Sequence, residues 1–534
     1  MALAGAAVSI ALGCGFIESA SPTYDEPVHL ASGYLGLVSG TPLNYRDHPP
    51  LAEMWAALPL LRYHLATLRQ SAVWGRLYNY SDAFLYSNVI PADAMLDAAR
   101  RWCLVSWSLL LVPAVVLWSA AFGTAAMAAA ALSCAFCPPL LSNAALVTTD
   151  SAAAVFFFLT FWLCARRPRA RAGFIWAGLA MGAAIVSKFN MIVLPGFLAA
   201  TFLTEARLTK SAPLGWKDAA LMGAASLLVV AAAYRFTDLS LYWAGLTQTV
   251  DRLGAGRSSF LGGAYSIEGS LLYFPAALIF KTPLPLLLCA ATGLALLIKT
   301  PDVQGMWLVF PPAAFFVLAC SSKTQIGYRH ILPVFPFLIV IAARGAAWVW
   351  ERGLWGRALC AALSVWLVAS VARVQPDQLA YFNELAGGPD NGYRWLVDSN
   401  LDWGQGLKEL GAELRRRGGP AIYLSYFGAG DPSYYGIRYV PAAFVNNVDR
   451  RDGVAVPADD APVLLAVSAT NLQGVYFADK KIFSWLLERR PVFKAGHSIF
   501  LYDLTADADG RAKLAPIVAA SGGSPGALRR LALQ

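Results

Sequence analysis

Directly after its first long apolar stretch the chain reads Tyr24-Asp25-Glu26-Pro27, which sets two adjacent carboxylates at a lipid–water boundary. A carboxyl group partly withdrawn from water favours its neutral form, so an acid here, steadied by a partner or a metal, can act as a base. Further on, Asn44-Tyr45-Arg46-Asp47-His48-Pro49-Pro50-Leu51 supplies an imidazole and Thr148-Thr149-Asp150 a third acid. His48 can orient a carboxylate, touch a phosphate or ligate a metal, while Asp25 and Asp150 can equally be helix caps. Cations accompany them: Lys188 in Ser187-Lys188-Phe189-Asn190, Lys281 in Phe280-Lys281-Thr282-Pro283, and Arg329 with His330 in Gly327-Tyr328-Arg329-His330. Each cation alone is explained by snorkelling to a membrane interface. Together they could bind a phosphate whose lipid tail lies along the membrane body. Asp25, Glu26, Glu53, His48 and His330 could also surround a divalent metal, though their spacing matches no ligand motif.

These residues need elements to hold them, and composition says what those elements are. Of 534 residues 57% are hydrophobic and 14% charged, with mean hydropathy +0.51, against about 25% charge in soluble chains. Apolar stretches recur near 2–20, 102–121, 124–141, 149–165, 173–187, 190–205, 218–236, 282–298, 304–320, 330–348 and 357–374. Each approaches the ~20 residues a helix needs to cross a bilayer. A polytopic α-helical membrane protein with about eleven transmembrane helices is therefore expected. The first stretch lacks a basic leader region and runs straight into Tyr24-Asp25-Glu26, so it reads as a retained helix.

Short loops rich in Lys and Arg mark the cytoplasmic side. Arg166, Arg167, Arg169 and Arg171 fill one such loop, Arg207, Lys210 and Lys217 another, and Arg352 and Arg357 a third, all of matching parity. Residues 21–101, 237–281, 321–329 and those beyond 374 then lie outside the cytoplasm, in a plasma or bacterial inner membrane. The net charge of +9 suits anionic headgroups and gives no reason to expect a nucleic-acid partner. The eight cysteines lie in or beside apolar spans, Cys134 and Cys137 included, and read as small buried residues rather than disulfides or metal ligands.

The chain divides into a membrane body over 1–374, with a long first outer loop over 21–101, and a mixed region over 375–505. In the first loop, Pro50–Leu68 has the spacing of an interfacial helix. In the tail, Leu407–Arg417 and Ile482–Arg489 read as helices and Ala421–Phe427, Pro462–Val467 and His497–Tyr502 as strands, which predicts a small extracytoplasmic α/β domain. Residues 506–534, rich in Gly, Ala and Pro, are expected to be loosely ordered.

The ordered set Tyr24-Asp25-Glu26-Pro27-Val28-His29, Asp47-His48-Pro49-Pro50-Leu51, Lys281-Thr282-Pro283, Asn383-Glu384-Leu385-Ala386-Gly387-Gly388 and Asp398-Ser399-Asn400-Leu401-Asp402-Trp403-Gly404-Gln405 resembles the bacterial glycosyltransferases of family 39, over residues 20–505. That family belongs to the GT-C superfamily, includes the protein O-mannosyltransferases and is similar to the transferases that place aminoarabinose on lipid A. The resemblance implies an inverting transfer of a hexose or pentose from a polyprenyl-phosphate donor to a hydroxyl acceptor on protein, lipid or glycan. It implies Asp25 as general base, Glu26 as an aid at the acceptor and Asp150 as the second acid. Lys188, Lys281 and Arg329 are assigned by inference to the leaving phosphate, with His48 and His330 at the substrate. The tail departs from the repeat-containing loop of eukaryotic protein mannosyltransferases, and its Asp398–Trp403 motif reads either as a helix cap or as acceptor contacts.

A transporter or lipid flippase is the rival, because many helices with charges at one face could surround a solute path. Transporters favour broken helices and inverted repeats, and the sequence displays neither. The loop parity makes one prediction: cysteines introduced at Ser71 and Ser433 react with an impermeant thiol reagent in intact cells. Labelling only after lysis would invert the topology.

Overall fold

The computed structural model describes residues 1–40, 42–69, 71, 75–166, 172–211, 214–445, 455 and 457–532, so Arg167, Arg169 and Arg171 lie outside the described residues. The protein is a multi-pass membrane protein. Among the described residues seven helical stretches are long and apolar enough to span a bilayer: Ala2–Ser19, Ala92–Phe122, Phe189–Thr209, Trp216–Ala233, Val303–Cys320, Tyr328–Trp350 and Leu354–Ala372. Two bent pairs bring the number up to nine, and Asp150–Ala165 and Ala172–Ile185 are shorter apolar helices. Every expected span thus falls on a helix.

The bent pairs correct the expectation of unbroken spans. Thr124–Ala135 meets Pro138–Ala144 at 56°, and Tyr273–Lys281 meets Leu284–Lys299 at 115°. Pro138 and Pro283 stand at the breaks, where a missing N–H and a ring clash with the preceding turn end the first segment. Elsewhere the bundle is tightened by small residues. The Leu284–Lys299 and Phe335–Trp350 helices cross at Gly293 and Gly345, where an added Cβ would lie 1.9 Å from Ile341 O and 2.1 Å from Cys289 O respectively. Rings of Trp118, Phe157, Phe158 and Phe337 interlock in the middle of the bundle.

Two parts of the long loops are ordered in ways the sequence did not display. The expected interfacial helix is short, Pro50–Ala57 followed by a 3-10 turn over Leu58–Tyr63. An amphipathic helix, Leu239–Ala255, occupies the loop expected over 237–281 and is tied to the first loop by the Arg252–Asp47 ion pair. After it, β1 (Ser259–Leu261) and β2 (Ala264–Ser266) form a small hairpin.

The C-terminal domain is built on strands β3 (Ile422–Ser425), β4 (Tyr439–Pro441), β5 (Leu464–Ser468), β6 (Phe493–Ala495) and β7 (Ile499–Asp503), in the order β4-β3-β5-β7-β6. β4, β3 and β5 run parallel, and β7 and β6 pair antiparallel. Alternation sorts the side chains to two faces. Ile422, Leu424, Leu464 and Ile499 pack with Leu407, Leu410 and Leu414 of the Leu407–Arg416 helix, whereas Tyr423, Leu465 and Phe500 share a core with Leu514, Val518 and Leu531. Those last residues belong to helices Ala508–Ala520 and Pro525–Ala532, and Tyr423 Oη donates to Ala527 O at 2.7 Å. The end of the chain, expected to be loose, is therefore a packed layer, because its small residues carry Leu and Val at helical spacing. Ile482–Arg489, expected as an α-helix, is reduced to a 3-10 turn over Ser484–Glu488.

The Ala92–Ser119 helix begins ten residues before the expected span, which draws Arg100 into the protein. Arg100 is fully buried and donates Nε and Nη2 to Glu26 at 2.8 and 2.6 Å, Nη1 to Ala20 O at 2.8 Å and Nη2 to Ser21 O at 2.9 Å. Glu26 also accepts from Thr23 N at 2.8 Å, Thr23 Oγ1 at 3.0 Å and Val147 N at 3.0 Å. Burial pushes the Glu26 carboxyl upward, but the charge and hydrogen bonds of Arg100 outweigh it and hold the group below the usual carboxylate range.

Removing one partner of such a pair costs roughly 3–5 kcal/mol, because the other charge is left buried and alone. Arg100→Met should therefore lower the thermal unfolding midpoint sharply, and Glu26→Gln less so because the amide keeps part of the network. A carboxyl whose pKa falls on folding contributes stability above its unfolded pKa that is lost as pH falls through the folded value. Glu26→Gln should thus flatten the acid limb of a stability–pH curve. An unchanged midpoint in Arg100→Met would remove this pair from the account of the fold.

Candidate active site

Asp25 precedes the Glu26–Ser39 helix as its N-cap and Asp150 opens the Asp150–Ala165 helix, yet neither helix start carries a side-chain cap bond. Both carboxylates turn to cations instead. Arg329 Nη1 lies 2.8 Å from Asp25 Oδ2 and 3.7 Å from Asp150 Oδ2, and Lys188 Nζ lies 2.5 Å from Asp150 Oδ1. One guanidinium thus bridges two acids contributed by distant parts of the chain. Lys188 is delivered by the turn between the Ala172–Ile185 helix and the Phe189–Val193 3-10 turn, and Arg329 by the Tyr328–Val334 3-10 segment. The side chain of Asp150 is 1% exposed and that of Asp25 28%, so Asp25 is the acid open to its surroundings.

Behind the ion pairs stands a row of histidines. His48 Nδ1 is 3.5 Å from Thr149 Oγ1, and its ring meets that of His29 edge-on at 4.8 Å. His29 Nδ1 pairs with Glu53 Oε1 at 2.8 Å, and Glu53 also accepts from Ser32 Oγ at 2.5 Å and Asn44 Nδ2 at 2.9 Å. Burial pushes His48 well below the ordinary imidazole range, helped by the charges of His29 and Lys188. Burial pushes His29 the same way, but Glu53 outweighs it and raises the group. A neutral His48 can relay or accept a hydrogen bond near Asp150 without adding charge. His330 has a buried Nε2 with no hydrogen-bond partner among the described residues. It lines a cavity of about 450 Å³ walled by Phe189, Leu246, Phe274, Phe315 and Lys323.

Two assigned residues are placed elsewhere. Glu26 is wholly enclosed and bound to Arg100, so it cannot meet an acceptor. It faces inward because successive helical residues point about 100° apart. Lys281 is equally enclosed: its Nζ donates to Leu379 O at 2.9 Å and Asn400 O at 2.5 Å, between the rings of Tyr328 and Phe382. It reaches no acid and no open surface, and it holds a loop instead of a phosphate. Among the described residues no three His, Cys, Asp or Glu side chains gather as a metal site. Of the five weighed for that role, Glu26 is bound by Arg100 and Glu53 by His29.

Sequence reasoning also missed residues. Arg257, just after the Leu239–Ala255 helix, has an exposed side chain over the Tyr476 ring at 5.0 Å and interacts with Asp25 and Asp398. Its loop carried no motif, so only the position of that helix could have revealed it. The Asp398–Trp403 motif lies against the site as well. Tyr476 Oη donates to Asp398 Oδ2, and burial raises the Asp398 carboxyl against the pull of Arg257. Asp402, pushed up to about 7 by burial, accepts from Thr470 N at 2.8 Å and anchors the motif to the domain. The motif does not cap the Leu407–Arg416 helix, which has Gly406 as its N-cap.

No family model and no curated protein matches the chain. Among solved structures, ArnT from Cupriavidus metallidurans bound to undecaprenyl phosphate superposes with a TM-score of 0.51 at 14% identity, covering 95% of this chain and 98% of that one. The same protein in the apo state gives 0.49 at 13% identity over 94% and 97%. The Archaeoglobus fulgidus oligosaccharyltransferase, in complex with Zn and sulfate, gives 0.41 at 12% identity over 77% and 55%. Over 95% of its length, then, the chain shares the fold of ArnT, in line with the fold that its sequence led one to expect.

Proposed function

We propose that the protein is an inverting glycosyltransferase that moves a sugar from a polyprenyl-phosphate donor to a hydroxyl acceptor at the extracytoplasmic face of the plasma or inner membrane. The observation that carries this reading is the Arg329 bridge, which holds Asp25 and Asp150 together, with Phe189 and His330, the chain neighbours of Lys188 and Arg329, lining an apolar cavity. Arg329 engages Oδ2 of Asp25, leaving Oδ1 for the proton of an acceptor hydroxyl. As that oxygen attacks the anomeric carbon, the bond to phosphate breaks on the opposite face and the electron pair leaves with the phosphate. Lys188, Arg329 and Arg257 supply positive charge where that anion develops, already in place before the bond breaks. Asp150 keeps Lys188 and Arg329 from drifting apart. The first isoprene units of the donor's tail would pack in the cavity walled by Phe189, Leu246, Phe274 and Phe315, beside His330.

The likeness to an ArnT that binds undecaprenyl phosphate supports a polyprenyl-phosphate donor. The broken Tyr273–Lys281 and Leu284–Lys299 pair is the feature that favours a transporter, but the polar group at its break, Lys281, is saturated by backbone carbonyls and faces no path.

The deciding experiment incubates the purified protein with a panel of radiolabelled polyprenyl-phosphate sugars and scores sugar release or transfer. Asp25→Asn should lower turnover by about 10²–10⁴ while the protein stays folded. Wild-type turnover in that variant would remove Asp25 from the mechanism. A charge-assisted contact is worth roughly 1.5–3 kcal/mol, so Lys188→Gln and Arg257→Gln should each weaken binding of a non-hydrolysable donor analogue by about tenfold or more. Lys281→Met should lower the unfolding midpoint and leave donor affinity alone. Unchanged affinity in both the Lys188 and the Arg257 variant would take these cations out of donor binding.

A further inference from the structure

Arg329 is gripped by residues 70 and 74 positions further along the chain, in the region that carries the C-terminal domain. Its Nε donates to Ser399 Oγ at 3.1 Å, and that hydroxyl donates in turn to Ile326 O at 2.8 Å. Its guanidinium carbon stands 4.1 Å over the ring of Trp403, itself buried to 1% exposure. With one edge bonded and one face stacked, the guanidinium keeps a single orientation, the one that aims Nη1 at Asp25 and Asp150.

We propose that Ser399 and Trp403 are positioning residues for the transfer reaction: the 398–403 turn fixes Arg329, and through it the reactive carboxylate of Asp25. The inference rests on the glycosyl-transfer reading above. It gives the Asp398–Trp403 motif a role that neither capping nor acceptor contact supplies.

The turn is built as a rigid support. Asp398 adopts φ +55°, a left-handed conformation in a non-glycine residue that persists only where the surroundings impose it. Here Ser399 N donates to Asp398 Oδ1 at 2.6 Å and Asp398 N to Thr470 Oγ1 at 3.0 Å. From the membrane side, Lys281 donates to Asn400 O, Tyr328 N donates to Asn400 Oδ1 at 2.9 Å, and Asn400 Nδ2 donates to Tyr273 Oη at 2.9 Å. The enclosed lysine thus steadies the turn from behind. Gly327 completes the fit: a Cβ there would lie 2.0 Å from Ser399 Oγ and 3.1 Å from Ser399 Cβ. Its backbone is extended, so close approach, and not conformation, is what calls for glycine.

The geometry dictates a double-mutant test on the full-length purified protein, using a polyprenyl-phosphate sugar that the wild type turns over. Ser399→Ala should lower kcat by about tenfold while donor KM stays within about twofold, the signature of a contact that matters in the transition state. Gly327→Ala pushes the same hydroxyl away and should give the same loss. The double variant should be little worse than Ser399→Ala, because the oxygen at 2.0 Å from the new methyl is already gone and only the looser 3.1 Å approach to the 399 Cβ remains, whereas independent effects would multiply. Trp403→Leu should lower kcat, and Trp403→Phe, which keeps a ring under the guanidinium, should recover most of it. Wild-type kcat in Ser399→Ala, multiplying losses in the double variant, or a parallel fall in kcat, donor affinity and unfolding midpoint would each overturn the proposal. A wild type that transfers sugar from no donor overturns the functional reading itself, a separate and visible outcome.

Discussion

The pairing of Arg100 with Glu26 is the constraint on which the site depends. A guanidinium with no exposure inside a bilayer-spanning helix is tolerable only if its donors find partners, and bonds to Glu26, Ala20 and Ser21 take up four of its five N–H groups. Those bonds fix the end of the first helix and the start of the Glu26–Ser39 helix against the long Ala92–Ser119 helix. Glu26 then reaches Val147 N, three residues before Asp150. One buried ion pair therefore sets the position of both acids that Arg329 later bridges.

The cleft repeats this logic with one difference. Asp150, Lys188 and Arg329 compensate one another with little exposure, as low-dielectric burial requires. Asp25 joins the same network but stays partly exposed. Compensation explains why such charges survive at a membrane boundary, and incomplete enclosure leaves one of them in contact with its surroundings. The support extends into the C-terminal domain, whose Ser399 and Trp403 hold the cation common to both acids. The domain is thus packed against the acid–cation cluster, and the rings of Tyr24, Phe427 and Tyr476 meet in succession across the joint.

Much of this was legible in the sequence, for reasons particular to each feature. Apolar runs located every span, because bilayer thickness sets a length that composition alone can meet. Asp25, Asp150, Lys188 and Arg329 were legible as charges beside those runs, where an ionisable residue needs a reason. The sequence was silent on pairing. Lys281 and Arg329 look alike as cations at span ends, yet one meets two backbone carbonyls and the other two carboxylates. Arg100 read as a loop residue because hydropathy cannot tell a solvated arginine from one saturated within a helix. Arg257 was hidden because its helix, Leu239–Ala255, is amphipathic and shorter in apolar content than a span. β4 and β6, three residues each, are too short to show alternation.

The Asp25-Glu26 pair shows how adjacent, chemically similar residues acquire opposite roles. At the start of a helix, consecutive side chains diverge by about 100°, so two acids in sequence cannot share one environment. Glu26 points inward to Arg100 and is wholly enclosed, while Asp25 points toward Arg329 and is partly exposed. The longer side chain serves the inner partner across the helix interface, and the shorter one keeps the outer carboxylate close to its backbone. Exchanging the two types would leave the inner charge short of Arg100 and give the outer one more rotamers. A pairwise motif that looks like a doubled catalytic acid is, in physical terms, one structural anchor and one partly exposed acid, and the anchor is what lets the second acid be rigid without being buried.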